Sequence, residues 1–231
     1  MAANRDEFYR RPTEPVHRWE NGIVAGRDIT SGGTWLGVGD GRFAAVTNVR
    51  EGPPTGVAAP RSRGLLPTDF LTVPTSPEAH VGELDGDRYD GFNLLACDLD
   101  QLWWTSNRFG AEEVGPGVHG LSNSALDTAW PKVTAGTAAF AELAATDDGS
   151  TATTEAYLHL LFDKTQAPTE LLPHTGIGED MEKVLSPLFV DFGDYGTRAC
   201  TVVRMRADGS FTLTERRFEN SEVIGESTIT S

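Results

Sequence analysis

The segment ANRDEFYRRPT at residues 3–13 is the most informative stretch of the chain. It begins with four hydrogen-bonding side chains in a row, Asn4, Arg5, Asp6 and Glu7. Taken alone, such a tetrad is typical of a charged, solvated loop near a chain end. Further segments follow it in order: GTWLG at 33–37, FAAVTNVR at 43–50, SRGL at 62–65, YDGFNLL at 89–95, SNR at 106–108, GVHGLSNS at 117–124, WPK at 130–132 and YGTR at 195–198. The series favours a functional site at the tetrad, with the charged loop as the alternative.

Short apolar segments separated by glycine and proline predict antiparallel sheets. Three pairs of segments have the form of hairpins, at 34–38 with 43–49, 91–98 with 101–107, and 200–205 with 210–217. Apolar spacing predicts helices at 63–73, 132–145, 153–162 (capped by Thr153 or Thr154) and 177–185. Composition predicts a loop at 51–63. Hairpins grouped early and late around a helical region indicate helices layered on antiparallel sheets, in one domain over residues 1–231.

The charge balance disfavours whole classes of partner. The chain of 231 residues has 34 Asp and Glu against 19 Lys and Arg, which gives a net charge of −15. Such a surface repels nucleic acid and anionic lipid. An acidic surface with three lysines is typical of a protein adapted to high salt, although a genome that prefers arginine codons would give the same bias. No stretch approaches a membrane span, and the polar start predicts a cytoplasmic protein.

Taken together, these segments resemble the NRDE, or Transport and Golgi Organization 2, family. They occur in the family's order over residues 3 to about 205. The family is similar in pattern to N-terminal-nucleophile hydrolases, notably those that cleave conjugated bile amides and penicillin V. The resemblance therefore implies an α+β fold, a four-layer αββα sandwich of two antiparallel sheets.

The resemblance also implies roles for individual residues. In the related hydrolases an N-terminal cysteine attacks an amide, and its own α-amine is the base. Arg5 and Asp6 would orient that nucleophile, and Arg198 would lie beside it. Asn123 would donate to the developing oxyanion, with a second donor from the region of Asn48.

One departure separates this sequence from the family pattern. Family members usually begin Met-Cys, with one strand before the Ala-Asn-Arg-Asp-Glu segment, whereas this sequence begins at that segment. We therefore expect the family's first strand and its nucleophile to be absent, through a late start codon or a shortened form, and the chain as given not to hydrolyse amides. Cys97 and Cys200 are expected to be small buried hydrophobes, since their spacing fits neither a zinc site nor a redox motif.

Several residues are candidate ligand contacts. Asn4 and Glu7 belong to the tetrad, and the cations Arg50 and Arg108 could hold an anion. Arg50 could instead form an exposed ion pair with Glu51. His119 lies between glycines, where a structural hydrogen-bonding role is favoured and a functional role is the alternative. The histidines show no metal spacing, and no metal site is expected.

Three functions are consistent with the sequence. The favoured one is the handling of a small amphipathic ligand on a hydrolase scaffold, because eukaryotic family members are linked to haem trafficking, to acyl-CoA homeostasis and to Golgi organisation. Haem would then be a transported ligand rather than a resident cofactor. The first alternative is an N-terminal-cysteine amidohydrolase acting on a small amide or acyl substrate when full-length. The second is a role in interaction alone. The oligomeric state is left open.

Overall fold

Twelve strands and five α-helices make up the described part of the chain, which comprises residues 1–52, 56 and 59–231 of the computed structural model. The strands are β1 Ala2–Phe8, β2 Thr13–Arg18, β3 Val24–Asp28, β4 Leu36–Gly39, β5 Arg42–Asn48, β6 Phe92–Cys97, β7 Leu102–Ser106, β8 Gly110–Glu113, β9 Asp191–Phe192, β10 Tyr195–Met205, β11 Phe211–Glu219 and β12 Glu222–Thr230. The helices are α1 Leu65–Thr72, α2 Pro77–Gly82, α3 Pro131–Ala144, α4 Thr151–Leu161 and α5 Glu179–Val184.

The strands form two antiparallel sheets. The first sheet has the order β1-β10-β11-β12, and β9 pairs with the beginning of β10. The second sheet follows chain order from β2 to β8. All three predicted hairpins are present, as β4–β5, β6–β7 and β10–β11. In the first of them Asp40 and Gly41 have φ of 51° and 70°, the left-handed pair that a tight two-residue hairpin turn requires.

Apolar side chains pack the two sheets face to face. Val24 and Phe43 from the second sheet meet Val203 and Leu213 from the first in one buried cluster. Because neighbouring residues on a strand point to opposite faces, the residues that alternate with Val203 on β10 face the other way, toward helices. This packing places the main core between the sheets.

The helices cover the two outer faces. Leu66 and Phe70 of α1 pack on the second sheet, and neither has measurable solvent exposure. Tyr157 of α4 packs with Cys200 and Val202 on the outer face of the first sheet, and α3 adds partly buried residues there. The order helix, sheet, sheet, helix confirms the predicted αββα sandwich of two antiparallel sheets. Its likeness to N-terminal-nucleophile hydrolases remains a prediction from the resemblance.

The helix boundaries agree with the predicted ones, whereas the predicted cap of α4 does not. The four predicted helices are present within two residues of their predicted limits. The predicted cap of α4 was wrong, because Ser150 accepts the hydrogen bond from the backbone of Thr153. In the predicted loop at 51–63, residues 53–55 and 57–58 lie outside the described residues. Among the described residues, no helix combines the length and apolarity that crossing a bilayer needs.

We expect Gly196→Ala to destabilise the fold, because Gly196 lies where β1, β9 and β10 meet. A Cβ at this position would lie 2.5 Å from the hydroxyl of Tyr9 and 2.8 Å from the carbonyl oxygen of Val190. Overpacking of this kind costs about 2 kcal/mol, to be measured by urea unfolding. Gly82→Ala is the control, since no atom lies within 4 Å of its added Cβ. Equal unfolding midpoints for the two variants would refute the expectation.

Candidate functional site

The residues of the opening tetrad point to two different faces of the first sheet. Arg5 faces the second sheet, where its guanidinium lies 4.3 Å from the ring centre of Trp35 and 3.4 Å from the carboxylate of Asp28. Asn4 faces the helices and donates two hydrogen bonds of 2.8 Å to backbone carbonyls there. By the alternation of a strand, Asp6 shares the face of Asn4. The tetrad therefore contributes to two adjacent groups of charged residues.

The first group, which we call the arginine group, consists of Arg5, Glu7, Arg11, Asp28 and Arg198. Arg11 binds Asp28 through Nε and Nη2, at 2.5 and 3.2 Å, and its Nε lies 3.5 Å from Glu7. Arg198 donates through Nη1 to the carbonyl oxygen of Arg11. Among the described residues, the buried Nε of Arg198 has no hydrogen-bond partner. Three guanidinium groups thus face two carboxylates.

A β-bulge aims Arg198 at this group. Arg5 pairs with Ala199, and the next pair is Asp6 with Thr197, so Arg198 is an extra residue on β10. A bulge leaves one residue unpaired and turns its side chain away from the regular alternation. The YGTR segment therefore contributes on both sides of the sheet. Arg198 joins the arginine group, whereas Thr197 bonds to Asp6.

Burial and crowding act on the ionisation of the arginine group. Loss of water lowers the pKa of Arg5, and the nearby Arg198 and Arg11 lower it further, against Glu7 and Asp28. Burial alone would raise the pKa of Asp28, but hydrogen bonds from Arg11 and the backbone of Ser31 bring it below its usual range. An additional anion would therefore relieve the repulsion among these cations.

The second group, which we call the Asp6 group, consists of Asp6, Arg50, Asn123, Lys132 and Glu182. Asp6 accepts a hydrogen bond of 2.6 Å from the hydroxyl of Thr197. Burial raises the pKa of Asp6, and the positive charges of Lys132 and Arg50 act in the opposite direction. Lys132 donates to the carbonyl oxygen of Leu185 at 3.0 Å, and burial lowers its pKa to about 8. A carboxyl and an amine shifted toward their neutral forms are characteristic of functional sites.

Arg50 connects the remaining members of the Asp6 group. Its Nη1 lies 2.8 Å from Glu182, its Nη2 donates to the side-chain oxygen of Asn123 at 3.2 Å, and its guanidinium lies 5.2 Å from the ring centre of Trp130. The amide nitrogen of Asn123 donates to the backbone carbonyl of Asn48 at 2.9 Å. The structure thus brings together Asn48 and Asn123, the two regions proposed for an oxyanion site.

The four residues Arg5, Asp6, Asn123 and Arg198 therefore divide between the two groups. Arg5 and Arg198 lie in the arginine group, whereas Asp6 and Asn123 lie in the Asp6 group. The groups are neighbours, since Arg5 contributes to the electrostatic environment of Asp6. Their catalytic roles, and the ligand roles of Asn4, Glu7 and Arg108, remain predictions.

The alternative pairing of Arg50 with Glu51 was wrong. Consecutive side chains point apart, and each finds a partner distant in sequence: Glu182 for Arg50, and Arg108 for Glu51. Arg108 binds both carboxylate oxygens of Glu51 at 2.7 and 2.8 Å on an exposed surface. The cation of Arg108 is thus already paired near the site.

An aromatic row adjoins the Asp6 group. Tyr195 lies opposite Phe8 on one side and opposite Phe192 on the other, so that the three rings share a face of the first sheet. The rings of Phe8 and Tyr195 meet edge to face with centres 5.1 Å apart. Phe8 is 39% exposed and Phe192 is 47% exposed. Because Asp6 lies two residues before Phe8, the apolar row and the charged group share this face.

The loop that carries Asn123 is closed by His119 and Asp127. Nδ1 of His119 lies 2.7 Å from one oxygen of Asp127, whose other oxygen accepts from the backbone of Gly120 at 2.7 Å. Nε2 of His119 lies 3.1 Å from the carbonyl oxygen of Gly115. A neutral imidazole has one N–H, so only the protonated ring donates to both acceptors. This arrangement favours the structural role for His119.

The two thiols are poorly suited to nucleophilic attack. Cys200 has no solvent exposure, and burial raises its pKa far above the usual range. Cys97 is partly buried, its pKa is raised by burial and by Asp98 to about 11, and its thiol donates to the carbonyl oxygen of Asp98. The expectation that both behave as small hydrophobes fits Cys200 better than Cys97, which is bonded to a polar group.

Two cavities lie at the other end of the sandwich. One of about 260 Å³ is lined by Met1, Tyr157 and Arg204, and one of about 410 Å³ is lined by Arg42 and Asp98 among others. Arg42 begins β5, and Asn48 ends it. The candidate site therefore lies where β5 ends and β10 begins, away from these cavities.

Sequence reasoning missed several members of the site. Lys132 lies in the WPK segment, and Tyr195 and Thr197 lie in the YGTR segment, but their residue types alone indicated no role. Glu182 lies in a short charged helix and gave no signal, because its burial depends on Arg50, which is distant in sequence.

The architecture and site together define an α+β sandwich protein with charged groups around the first strand of one sheet. Among known families, the model described as "Transport and Golgi organisation 2" matches residues 1–220, and the chain belongs to this family. It is 34% identical to the Transport and Golgi organization protein 2 homolog of Bos taurus and 33% identical to that of Homo sapiens. Each alignment covers 96% of this chain and 87% of the relative. The Drosophila melanogaster protein is 28% identical over 43% of this chain and 39% of its own length.

We expect His119 to titrate above the ordinary histidine value, since the hydrogen bond to Asp127, supported by Gly115 and the charge of Glu112, raises its pKa. A raised folded-state pKa stabilises the loop at low pH, and this stabilisation is lost as the pH rises through that value. NMR titration of the imidazole measures the midpoint, and Asp127→Asn should lower it. A wild-type midpoint at or below about 6.5 would contradict the assignment.

We expect both cysteines to resist alkylation in the folded protein. With a pKa of about 11, Cys97 should react with iodoacetamide at pH 8 roughly a hundredfold more slowly than an ordinary exposed thiol. Mass spectrometry of the folded chain, with the urea-unfolded chain as control, measures the rate. Rapid labelling of either residue before unfolding would show that its thiol is accessible and ionised.

Proposed function

We propose that the protein binds a small amphipathic ligand at the aromatic row and the adjacent charged groups. The ligand has an apolar body and an anionic head, a chemistry shared by haem and by long-chain acyl-CoA. The observation that carries the proposal is the row of Phe8, Tyr195 and Phe192 on the same face as Asp6, in which Phe8 and Phe192 are exposed and Tyr195 between them is half-buried. Exposed aromatic side chains beside convergent polar groups are typical of ligand sites.

The charged groups supply the chemistry for the anionic head. An anion near Lys132 would favour its ammonium form, against the burial that lowers its pKa to about 8. The arginine group, with three guanidinium groups for two carboxylates, offers a second favourable environment for negative charge. Guanidinium groups recognise carboxylates and phosphates through paired hydrogen bonds.

A second candidate is amide hydrolysis by an N-terminal cysteine. It is favoured by the proximity of Asn123 to Asn48, the two regions that the resemblance assigns to the oxyanion site: one N–H of the Asn123 amide binds the Asn48 carbonyl, and the amide has a second N–H to donate to an oxyanion. Neither Cys97 nor Cys200 suits the reaction, so the nucleophile would come from a strand ahead of Ala3. In the described part of the chain β1 is an edge strand of its sheet, where such a strand could pair.

The two candidates differ in one experiment. The chain would be extended at its N-terminus by the first strand of a family relative, so that its first residue is a cysteine with a free α-amine. This extended chain would be treated with a thiol-directed acylating probe. Labelling that is lost in an Asn123→Ala variant supports the hydrolase. Absence of labelling, with ligand binding retained, supports the binding protein.

Titration of the purified chain with haem and, separately, with a long-chain acyl-CoA should give a saturable change in tryptophan fluorescence for at least one of them. Phe192→Ser and Lys132→Gln should each weaken that binding about tenfold, the effect of roughly 1.4 kcal/mol. Ile224→Ser is the matched control, because Ile224 is 55% exposed on β12 at the opposite edge of the sheet. No saturation with either ligand, or equal losses in all three variants, would count against the site.

A further inference from the structure

Helix α5 is attached to the protein by an acidic side chain. Of its six residues, the buried one is Glu182, which is 2% exposed. A surface helix normally buries apolar side chains, and glutamate is among the residues least often buried unless it is paired. The burial of Glu182 therefore needs an explanation in terms of its partners.

Among the described residues, the Glu182 carboxylate accepts hydrogen bonds from Thr175 and Arg50. One oxygen accepts from the backbone nitrogen and the hydroxyl of Thr175, at 2.7 and 2.6 Å. The other accepts from Arg50 at 2.8 Å. Burial alone would raise the pKa of Glu182, but these hydrogen bonds bring it below its usual range. The carboxylate is thus held in its charged form.

Through Arg50 this carboxylate acts on the rest of the Asp6 group. The guanidinium donates to the Asn123 side chain at 3.2 Å, and the backbone nitrogen of Arg50 donates to the Asn123 carbonyl at 2.8 Å. Arg50 also carries a positive charge close enough to oppose protonation of Lys132, whereas Glu182 and Asp6 favour it.

We propose that Glu182 is a positioning residue, which holds Arg50 against Asn123 and offsets the positive charge of Arg50 beside Lys132. Its effect on ligand affinity rests on the proposed function, whereas its effect on Lys132 does not. A buried ion pair that merely attaches α5 to the protein is the competing explanation.

The two explanations predict opposite changes at Lys132. If Glu182 offsets the charge of Arg50, Glu182→Gln lowers the midpoint at which Lys132 titrates, by roughly half a pH unit, and Arg50→Gln raises it. If Glu182 only attaches the helix, loosening α5 admits water, and both variants raise the midpoint toward the ordinary lysine value.

The chain is well suited to this measurement because it contains three lysines, Lys132, Lys164 and Lys183. With ¹³C-labelled lysine, NMR follows the Cε resonance of each one through a pH titration without any ligand. Lys164, which pairs with Asp191 at 2.9 Å, is the internal reference. Glu179→Gln is the matched control, since it removes the same charge from an exposed position on the same helix.

A lower midpoint in Glu182→Gln, a higher one in Arg50→Gln and no change in Glu179→Gln would support the proposal. A rise or no change in Glu182→Gln overturns it, whatever the ligand experiments show. If Glu182→Gln unfolds, Glu182→Asp takes its place: this variant keeps the charge, so the Lys132 midpoint should stay unchanged, whereas a midpoint that rises as the shortened side chain loosens α5 overturns the proposal. In the ligand titration, the Glu182→Gln variant should bind the ligand roughly tenfold more weakly than wild type. If wild type binds neither ligand, the proposed function is refuted, but the proposed role of Glu182 at Lys132 is not.

Discussion

The pairing of β1 with β10 sets the positions of Arg5, Asp6, Glu7 and Arg198, around which the other charged residues of the candidate site are arranged. It joins Ala2 to Val202 across almost the full length of the chain, and its register decides which side chains face the helices and which face the second sheet. A slip of one residue would exchange Arg5 and Asp6 between these environments. Because the paired residues are nearly 200 positions apart in sequence, the site exists only where the ends of the chain have been brought together by the fold.

The separation of charge within the molecule is the second general feature. The chain as a whole carries a net charge of −15, yet cations are concentrated around β1 and at the beginning of α3. The acidic surface opposes the approach of an anionic ligand over long distances, and salt weakens this opposition. The cations act at short range, where burial makes their interactions stronger.

Local patterns predicted the fold well, whereas the site depended on contacts that no local pattern contains. Turns such as Gly39-Asp40-Gly41 and the alternation along β11 identified hairpins, because turn geometry and strand periodicity are properties of short segments. Edge strands such as β8, whose residues are all exposed, show no such alternation and were missed. The family resemblance identified Arg5, Asp6, Asn123 and Arg198, but not their division between two groups, which follows from the alternation of side chains along β1 and from the bulge that re-aims Arg198. Glu182 was unpredictable because its burial is decided by Arg50, and the pair is formed by tertiary structure.

The attachment of α5 by a carboxylate has a consequence for how the protein comes apart. A helix held by apolar contacts separates only when the core opens, whereas one held by a buried ion pair responds to acid. Since the pKa of Glu182 is lowered in the folded state, its contribution is present at neutral pH and is lost as the pH falls through that lowered value. Acidification would therefore release residues 175–184 as a local unit while the two sheets stay packed, and the protein would lose the lining of its site before it loses its fold.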